Sequence, residues 1–421
     1  MGDRYRPFQL RPALIITSAL ALIYFANCFT HLRLTNDTLR YFILTESLEG
    51  IRTADTATQK EFLPLGYVYF LLLLAKLNIL GSFGICFFQL LFLAGSLWFV
   101  KKIFPSANTI WLIIFTSLNW STLRFTITPL SEMQFLFFST GALFFYLRYD
   151  NTGKLKYLPG LLIFCAAAIY TRTAGIILII ALAPAILVQK RKEIQTWLRS
   201  HTGYAILTGA FIIAAVTYFL MQPKFIAYLG YFFGPLISDP SGFFLRNIRL
   251  HLVDWAELFI NIPVSKTRFL LSLPAARIIY MIAGIIFLVI CLRKLFGSSL
   301  AIPLYVRIYI IAYILLIFNW PFFEARFWFP VLPLLAAVLS VKKNNTRPVF
   351  YSPAFLFRCY YIMAGVFVLA YYSYLSFDKR ALAERHDAGR WRAEYELHFY
   401  GSSIRNKEIN SKALHILNTY D

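Results

Sequence analysis

The chain has 421 residues, of which 59% are hydrophobic and 14% are charged, with 42 Phe and 26 Tyr. The surface of a soluble domain cannot cover so many apolar residues, so the composition excludes an ordinary soluble protein and predicts an all-α polytopic membrane protein. The net charge of +21 does not indicate nucleic-acid binding here, because the basic residues stand in short clusters between apolar runs, as in cytoplasmic loops.

The N-terminal stretch MGDRYRPFQLRPALIITSALALIYF has basic residues followed by an apolar run of span length. No small-residue cleavage site of the usual kind follows, and we therefore interpret the run as a retained first transmembrane span. The basic residues before it are expected on the cytoplasmic side.

Clusters of Lys and Arg stand at the ends of the apolar runs, and the positive-inside rule assigns all of them to the cytoplasmic side. They lie at 4–11, 101–102, 148–156, 190–199, 293–294 and 342–347. The intervening runs predict about eleven transmembrane helices, with the N-terminus cytoplasmic and the C-terminus external. These predicted spans are roughly 12–30, 83–100, 107–122, 131–148, 157–170, 174–188, 203–221, 276–292, 303–318, 327–341 and 354–375.

One further apolar run, at 63–81, would break this alternation if it crossed the membrane. We therefore predict a re-entrant or interfacial helix there, within a first external loop at 31–82. Residues 222–275 are rich in aromatics, Gly and Pro and form a second long external loop. The expected organisation is a transmembrane domain at 1–375 followed by a small external tail at 376–421.

Two neighbouring predicted spans are unusually short. Each has about 14 residues, which corresponds to about 21 Å of helix and cannot cross an apolar core of about 30 Å. The sequence TRTAG lies between them and contains Arg172. This arginine is expected to lie below the outer membrane surface, where it can bind a phosphate with several donors.

The topology places several charged residues together at the external membrane edge. They are Asp37, Arg124, Glu132, Arg172, Glu324 and Arg326. Because charges at such positions are paired or wetted, we expect a cavity that opens outward.

Three of these charges also have local structural explanations. Asp37 follows Asn36, a plausible helix cap, and is either a simple helix-end acid or a general base for an acceptor hydroxyl or amine. Glu132 begins a span after Ser131 and can pair with Arg124. Glu324 can pair with Arg326, and that salt pair is compatible with a catalytic role.

The order and spacing of these residues resemble the GT-C glycosyltransferases over about residues 12–341. The nearest resemblance is to the branch that contains protein O-mannosyltransferases and bacterial aminoarabinose transferases. The matching positions are Asp37 after the first span, Pro64, Leu65 and Tyr67 at the start of an apolar helix, Arg124 with Ser131 and Glu132, Thr171 and Arg172 with Gly175, and Arg326 and Phe327 with Pro330 and Pro333.

The resemblance implies a GT-C fold with juxtamembrane helices in the first external loop, in a bacterial inner-membrane enzyme. Such an enzyme transfers a sugar from a polyprenyl-phosphate donor to a lipid, glycan or protein acceptor on the outer face. The resemblance implies that Asp37 is the catalytic base and that Arg172 and Arg326 lie near the donor phosphate. We further predict that Glu132 is a second catalytic carboxylate and that Arg124 also binds the donor phosphate. The residues predicted to line the site are Tyr41, Pro64, Tyr67 and Glu324.

No cofactor is expected, and because metal use varies across the superfamily, the resemblance leaves a divalent metal open. The chain departs from the family pattern at Leu63 and Pro64, where two prolines are common, and at Thr173 and Ala174, where proline and an acid often follow the arginine. These departures indicate a divergent member.

Two other functions use similar residues. A flippase or transporter of lipid-linked sugars also needs cations in an outward cavity, but it is expected to show broken helices in two related halves, and the sequence has no such repeat. An O-antigen-type polymerase needs a large external loop with several arginines, and the second loop contains Arg246, Arg249 and Arg268.

Overall fold

The computed structural model describes residues 10–51, 63–189, 233–269, 272–297, 302–341, 352–403 and 408–421, with a few single positions between 190 and 232. Within these ranges the chain is helical, and the only extended pairing is an isolated bridge between Ala107 and Val341. The body helices are α1 Leu10–Asn27, α2 Asn36–Leu48, α3 Gly66–Lys76, α4 Ser82–Ile103, α5 Thr109–Ser117, α6 Trp120–Thr126, α7 Glu132–Thr152, α8 Leu158–Thr171, α9 Ile176–Gln189, α10 Pro240–Ile260, α11 Leu273–Phe296, α12 Leu304–Phe318, α13 Leu332–Ser340 and α14 Pro353–Phe377. The tail helices are α15 Lys379–Arg385, α16 Arg392–Tyr400 and α17 Ser411–Tyr420.

Three of the described helices, α4, α11 and α14, are long and apolar enough to cross a membrane. Shorter apolar helices accompany them, among them α3, α12 and the pair α8 and α9. The outer face of α11 is covered with exposed isoleucines, including Ile278 at 50% and Ile282 at 52% exposure. An exterior of this kind requires an apolar solvent. The expectation of a helical membrane-embedded protein is thus confirmed at this coarse level.

Two of the predicted spans differ from the helices that the structure shows. The span expected at 107–122 is two short helices, because Asn119 leaves the helix between α5 and α6. Its side chain accepts a hydrogen bond from the Ser121 amide at 3.1 Å and donates to the Leu258 carbonyl at 2.7 Å. The span expected at 327–341 contains only nine α-helical residues, since two 3-10 turns precede α13.

The second predicted loop also differs. Its described part contains α10, a 21-residue helix that packs on α11. Gly284 of α11 lies against the Leu252 carbonyl of α10, where an added Cβ would be 2.2 Å from the oxygen. The predicted span 203–221 and residues 222–229 lie outside the described residues.

The first predicted loop carries two helices beside the body. Helix α2 is capped by Thr35, whose hydroxyl accepts from the Thr38 amide at 3.1 Å, and not by Asn36 as predicted. Helix α3 has 11 residues, which gives it a length of about 16 Å, too short to cross a membrane. The start of α3 packs against the end of α8 through Gly66.

The tail helices hold the segment that leads into α2. Tyr395 accepts from the Leu34 amide at 2.9 Å and donates to the Leu32 carbonyl at 2.8 Å. His386 Nε2 lies 2.7 Å from the Leu34 carbonyl. Burial lowers the pKa of His386 to about 3, so this histidine is neutral near pH 7 and can donate to the carbonyl.

Gly66→Ala tests the close approach of α3 to α8. An added Cβ would lie 2.6 Å from the Tyr170 carbonyl carbon and 2.7 Å from the Thr171 nitrogen, and backbone atoms cannot move aside cheaply. We expect a loss of about 1–3 kcal/mol, measured as a lower thermal midpoint in detergent. The matched control is Gly234→Ala, where no atom of the described residues lies within 4 Å of the added Cβ. Equal midpoints for the two variants would contradict the packing described here.

Candidate functional site

The centre of the candidate site is an ion-pair cluster around Arg326. Its Nη1 lies 2.6 Å from Asp37 Oδ2, and its Nε lies 2.8 Å from Glu324 Oε2. Asp37 occupies the first turn of α2, and Arg40 of the next turn places Nη1 3.3 Å from Asp37 Oδ1. Arg326 lies in the 3-10 turn Ala325–Phe327 that precedes α13. The cluster therefore joins two parts of the chain that are far apart in sequence.

A second ion pair lies directly behind this cluster. Glu132 begins α7 with a side chain only 1% exposed, and its Oε1 contacts Arg172 Nη1. Arg326 Nε lies 3.8 Å from the same oxygen. Both guanidinium groups lie over the Phe327 ring, at 5.5 Å and 5.0 Å from its centroid. Glu132 thus links the two arginines.

The backbone explains how Arg172 reaches this position. Helix α8 ends at Thr171, and Arg172 itself is extended, with φ −148° and ψ 138°. A 3-10 turn at Thr173–Gly175 then leads into α9. The break releases the side chain from the helix surface and lets it turn toward Glu132. Helices α8 and α9 each have 14 residues, as the sequence predicts.

A layer of hydrogen-bonded polar side chains lies next to Glu132 inside the protein. Tyr41 donates to Ser131 Oγ at 3.1 Å, and the Ser131 side chain makes no capping hydrogen bond to α7. The Tyr41 and Tyr67 rings lie 4.9 Å apart, and Gln89 donates to the Tyr67 hydroxyl at 2.9 Å. These two tyrosines, predicted to line the site, lie behind Glu132 and do not line the cavity.

A cavity of about 440 Å³ opens beside the Arg326 cluster. Its wall includes Asp37, Arg124, Glu324 and Arg326, all of which the sequence singled out. Pro64, which precedes α3, is not part of this wall. The Glu132–Arg172 pair is likewise not part of it and lies behind Arg326.

Arg124 differs from the other arginines of the site. Its guanidinium lies over the Trp120 and Phe125 rings, at 5.9 Å and 5.8 Å. The predicted pairing with Glu132 is wrong, because Arg172 and Arg326 lie at that carboxylate instead. Within the described part of the chain Arg124 forms no ion pair. It is therefore a positive charge in the cavity wall that no described carboxylate contacts directly.

The cavity wall also carries carboxyl groups that the sequence reasoning missed, among them Asp254 and Glu257 of α10 and Asp387 of the tail. His251 Nδ1 lies 3.4 Å from Asp254 Oδ2, and Glu257 Oε1 accepts from the Val264 amide at 2.8 Å. Burial raises the pKa of Asp254 and raises that of Glu257 to about 8. The missed signal was a polar stripe with helical spacing, formed by Asn247, His251, Asp254, Glu257 and Asn261.

The charge state of Asp37 follows from two opposing effects. Burial on its own raises the pKa of Asp37, but the Arg326 guanidinium, with help from Arg40 and Arg172, brings the pKa below its ordinary value of 3.8. Asp37 is therefore ionised at neutral pH. The three carboxylates of Asp37, Glu132 and Glu324 balance the three guanidinium groups of Arg40, Arg172 and Arg326.

The part of the chain that the structure describes holds no group of three or more His, Cys, Asp or Glu side chains arranged for a metal ion. No protein-family model, no curated protein and no solved structure matches the chain. The fold and the site by themselves define a helical, membrane-embedded protein with a buried carboxylate–guanidinium cluster beside a charged cavity. Membership of the GT-C glycosyltransferases stays a prediction from the motifs.

The Glu132–Arg172 pair provides a test of the cluster. Glu132→Gln leaves two buried guanidinium groups short of a counter-ion, and we expect a loss of about 3 kcal/mol or more. Adding Arg172→Gln should recover part of this loss, with a coupling of about 1–3 kcal/mol in a double-mutant cycle of thermal stability. Arg380→Gln in the exposed pair with Glu384 is the control and should change little. Strict additivity of the two site variants would show that the residues do not interact.

Proposed function

We propose that the chain is a glycosyltransferase of GT-C type that transfers a sugar from a polyprenyl-phosphate donor to an acceptor. In this proposal it has about eleven spans in a bacterial inner membrane, its N-terminus is cytoplasmic, and the site and the C-terminus face outward. The observation that supports the proposal most is the position of Asp37, an ionised carboxylate in a cavity wall beside arginines. The acceptor is a lipid, a glycan or a protein.

The chemistry needs few groups. The acceptor oxygen or nitrogen attacks the anomeric carbon, Asp37 takes the proton of the acceptor, and the bond from the anomeric carbon to the phosphate oxygen breaks. The electron pair of that bond leaves with the polyprenyl phosphate. Because this phosphate is already a good leaving group, no acid is needed to protonate it. Guanidinium groups that neutralise its charge suffice.

The arrangement of charges suggests how the donor activates the base. Arg172 and Arg326 are already balanced by carboxylates, and Arg124 is the cation without an ion-pair partner among the described residues. A donor phosphate that enters the cavity meets Arg124 first and then competes with Asp37 for Arg326. When the phosphate takes Arg326, Asp37 loses its main counter-ion and its pKa rises. Donor binding would thus convert a weak base into a stronger one.

Glu132 has a positioning role in this proposal, although the sequence analysis predicts that it is a catalytic carboxylate. Its carboxylate lies behind Arg326 and links the two arginines. A group in that position fixes the guanidinium groups that face the donor and does not itself reach the reacting atoms.

Asp37→Asn tests the assignment of the base. In membranes supplied with labelled polyprenyl-phosphate sugar, we expect sugar transfer to fall about 100-fold or more while donor binding is retained. The matched control is Glu49→Gln, which removes an acid at the end of the same helix and should leave transfer unchanged. Unchanged transfer in Asp37→Asn would exclude this residue as the base. Lipid translocation by the wild type without any transfer would favour the flippase instead.

The pH dependence of the rate tests activation by the donor. The pKa of Asp37 in the free protein lies below 3.8, so kcat/KM should lose no activity through this group between about pH 7 and pH 5. If the donor takes Arg326, the acid limb of kcat should lie at higher pH than the acid limb of kcat/KM. Arg40→Gln should move the kcat/KM limb upward, because Arg40 also lowers this pKa. If the acid limbs of kcat and kcat/KM lie at the same pH, the donor phosphate does not displace Asp37 from Arg326.

A further inference from the structure

A second cavity, of about 420 Å³, lies between α10 and α11. Three arginines line it, namely Arg246 and Arg249 of α10 and Arg277 of α11. The cavity is separate from the one beside Asp37, and none of these arginines belongs to the carboxylate–guanidinium cluster.

Among the described residues, the wall of this cavity contains no acidic side chain. Arg246 lies over the Phe323 ring at 5.7 Å, and none of the three arginines forms an ion pair within the described ranges. The rest of the wall is apolar and includes Leu250 and Met281. Three like charges that converge on one cavity repel one another, so the arrangement is favoured when an anion is bound.

The position of the cavity indicates where the anion comes from. Arg277 is the fifth residue of α11, which begins at Leu273 and is one of the helices able to cross a membrane. Exposed isoleucines, Ile278, Ile282 and Ile285, continue along α11 from this point. The arginines therefore lie where an apolar span begins, which is the level of lipid headgroups.

The rim of the cavity has the apolar character that acyl chains require. Leu245 is 71% exposed and Ile278 is 50% exposed, and both belong to the cavity wall. A soluble phosphate would gain nothing from these side chains, whereas a lipid can contact them while its phosphate contacts the arginines.

We propose that this cavity binds the phosphate headgroup of an anionic membrane lipid. Arg246, Arg249 and Arg277 donate charge-assisted hydrogen bonds to the phosphate oxygens. Leu245 and Ile278 contact the start of the acyl chains. The proposal stands on this cavity alone and does not depend on the glycosyltransferase activity.

The test measures lipid binding to the purified full chain by native mass spectrometry. Phosphatidylglycerol should bind, and zwitterionic phosphatidylcholine should bind more weakly. Arg249→Gln and Arg277→Gln should each weaken phosphatidylglycerol binding about tenfold, since each removes charge-assisted hydrogen bonds. Thermal midpoints equal to the wild type show that the variants are folded, and Arg246→Gln replaces either variant if it is unstable.

The control is Arg293→Gln, which removes an exposed arginine from the other end of α11. It should leave phosphatidylglycerol binding unchanged. An equal loss in Arg293→Gln would show that lipid is attracted by any basic helix end, and it would overturn the proposal. Displacement of the lipid by millimolar inorganic phosphate would also overturn it, because the site would then take free phosphate.

Discussion

A charged side chain can be removed from water only if another charge accompanies it, and this constraint governs the centre of the protein. Arg326 and Arg172 lie in an interior dominated by aliphatic and aromatic residues, where an isolated guanidinium would be strongly unfavourable. They are stable there because Glu132 lies between them and because Asp37 and Glu324 complete the set. Loss of the buried Glu132 carboxylate would leave both guanidinium groups short of a counter-ion.

The cluster also depends on breaks in the helices. Arg172 and Arg326 both lie outside α-helices, the first on an extended residue and the second in a 3-10 turn. A residue in the middle of a helix projects its side chain radially, and its backbone groups are already paired. At a break the side chain can turn inward. Irregular backbone inside a helical protein is tolerated where polar partners or a cavity are present, and both are present here.

Some of this arrangement can be predicted from sequence and some cannot. Charged residues such as Arg172 stand out because they interrupt apolar runs, and run length alone located the ends of α8 and α9 closely. The partner of Glu132 was not predictable in this way. Arg124 is eight residues away in sequence, but Arg172, 40 residues away, is the residue that tertiary packing brings to the carboxylate. Ion pairing between distant segments has no local signature.

Asp254 and Glu257 were missed in the sequence analysis for a different reason. Asp254 and Glu257 belong to a regular polar stripe, but it lies in a segment whose aromatics, Gly and Pro suggested a loop. Periodicity would have been the better guide, because a stripe at three- and four-residue spacing has a meaning only on a helix. The break at Asn119 was missed because the whole run at 107–122 has the length and apolar character of a span, although Ser117 and Ser121 flank the break. The tertiary contacts of Asn119 to Leu258 and Tyr361 show why the helix ends there.

The position of Asp37 also depends on contacts that the C-terminal tail makes with the helix that carries it. Asp37 belongs to a short helix that lies beside the body, and the chain leading into that helix is held by Tyr395 and His386. His415 adds a contact to Glu46 near the other end of the helix, at 3.0 Å. Because the Asp37–Arg326 distance is set by where this helix lies, the tail helps to determine whether Asp37 reaches the arginine. The tail can therefore influence the chemistry by fixing the position of one helix.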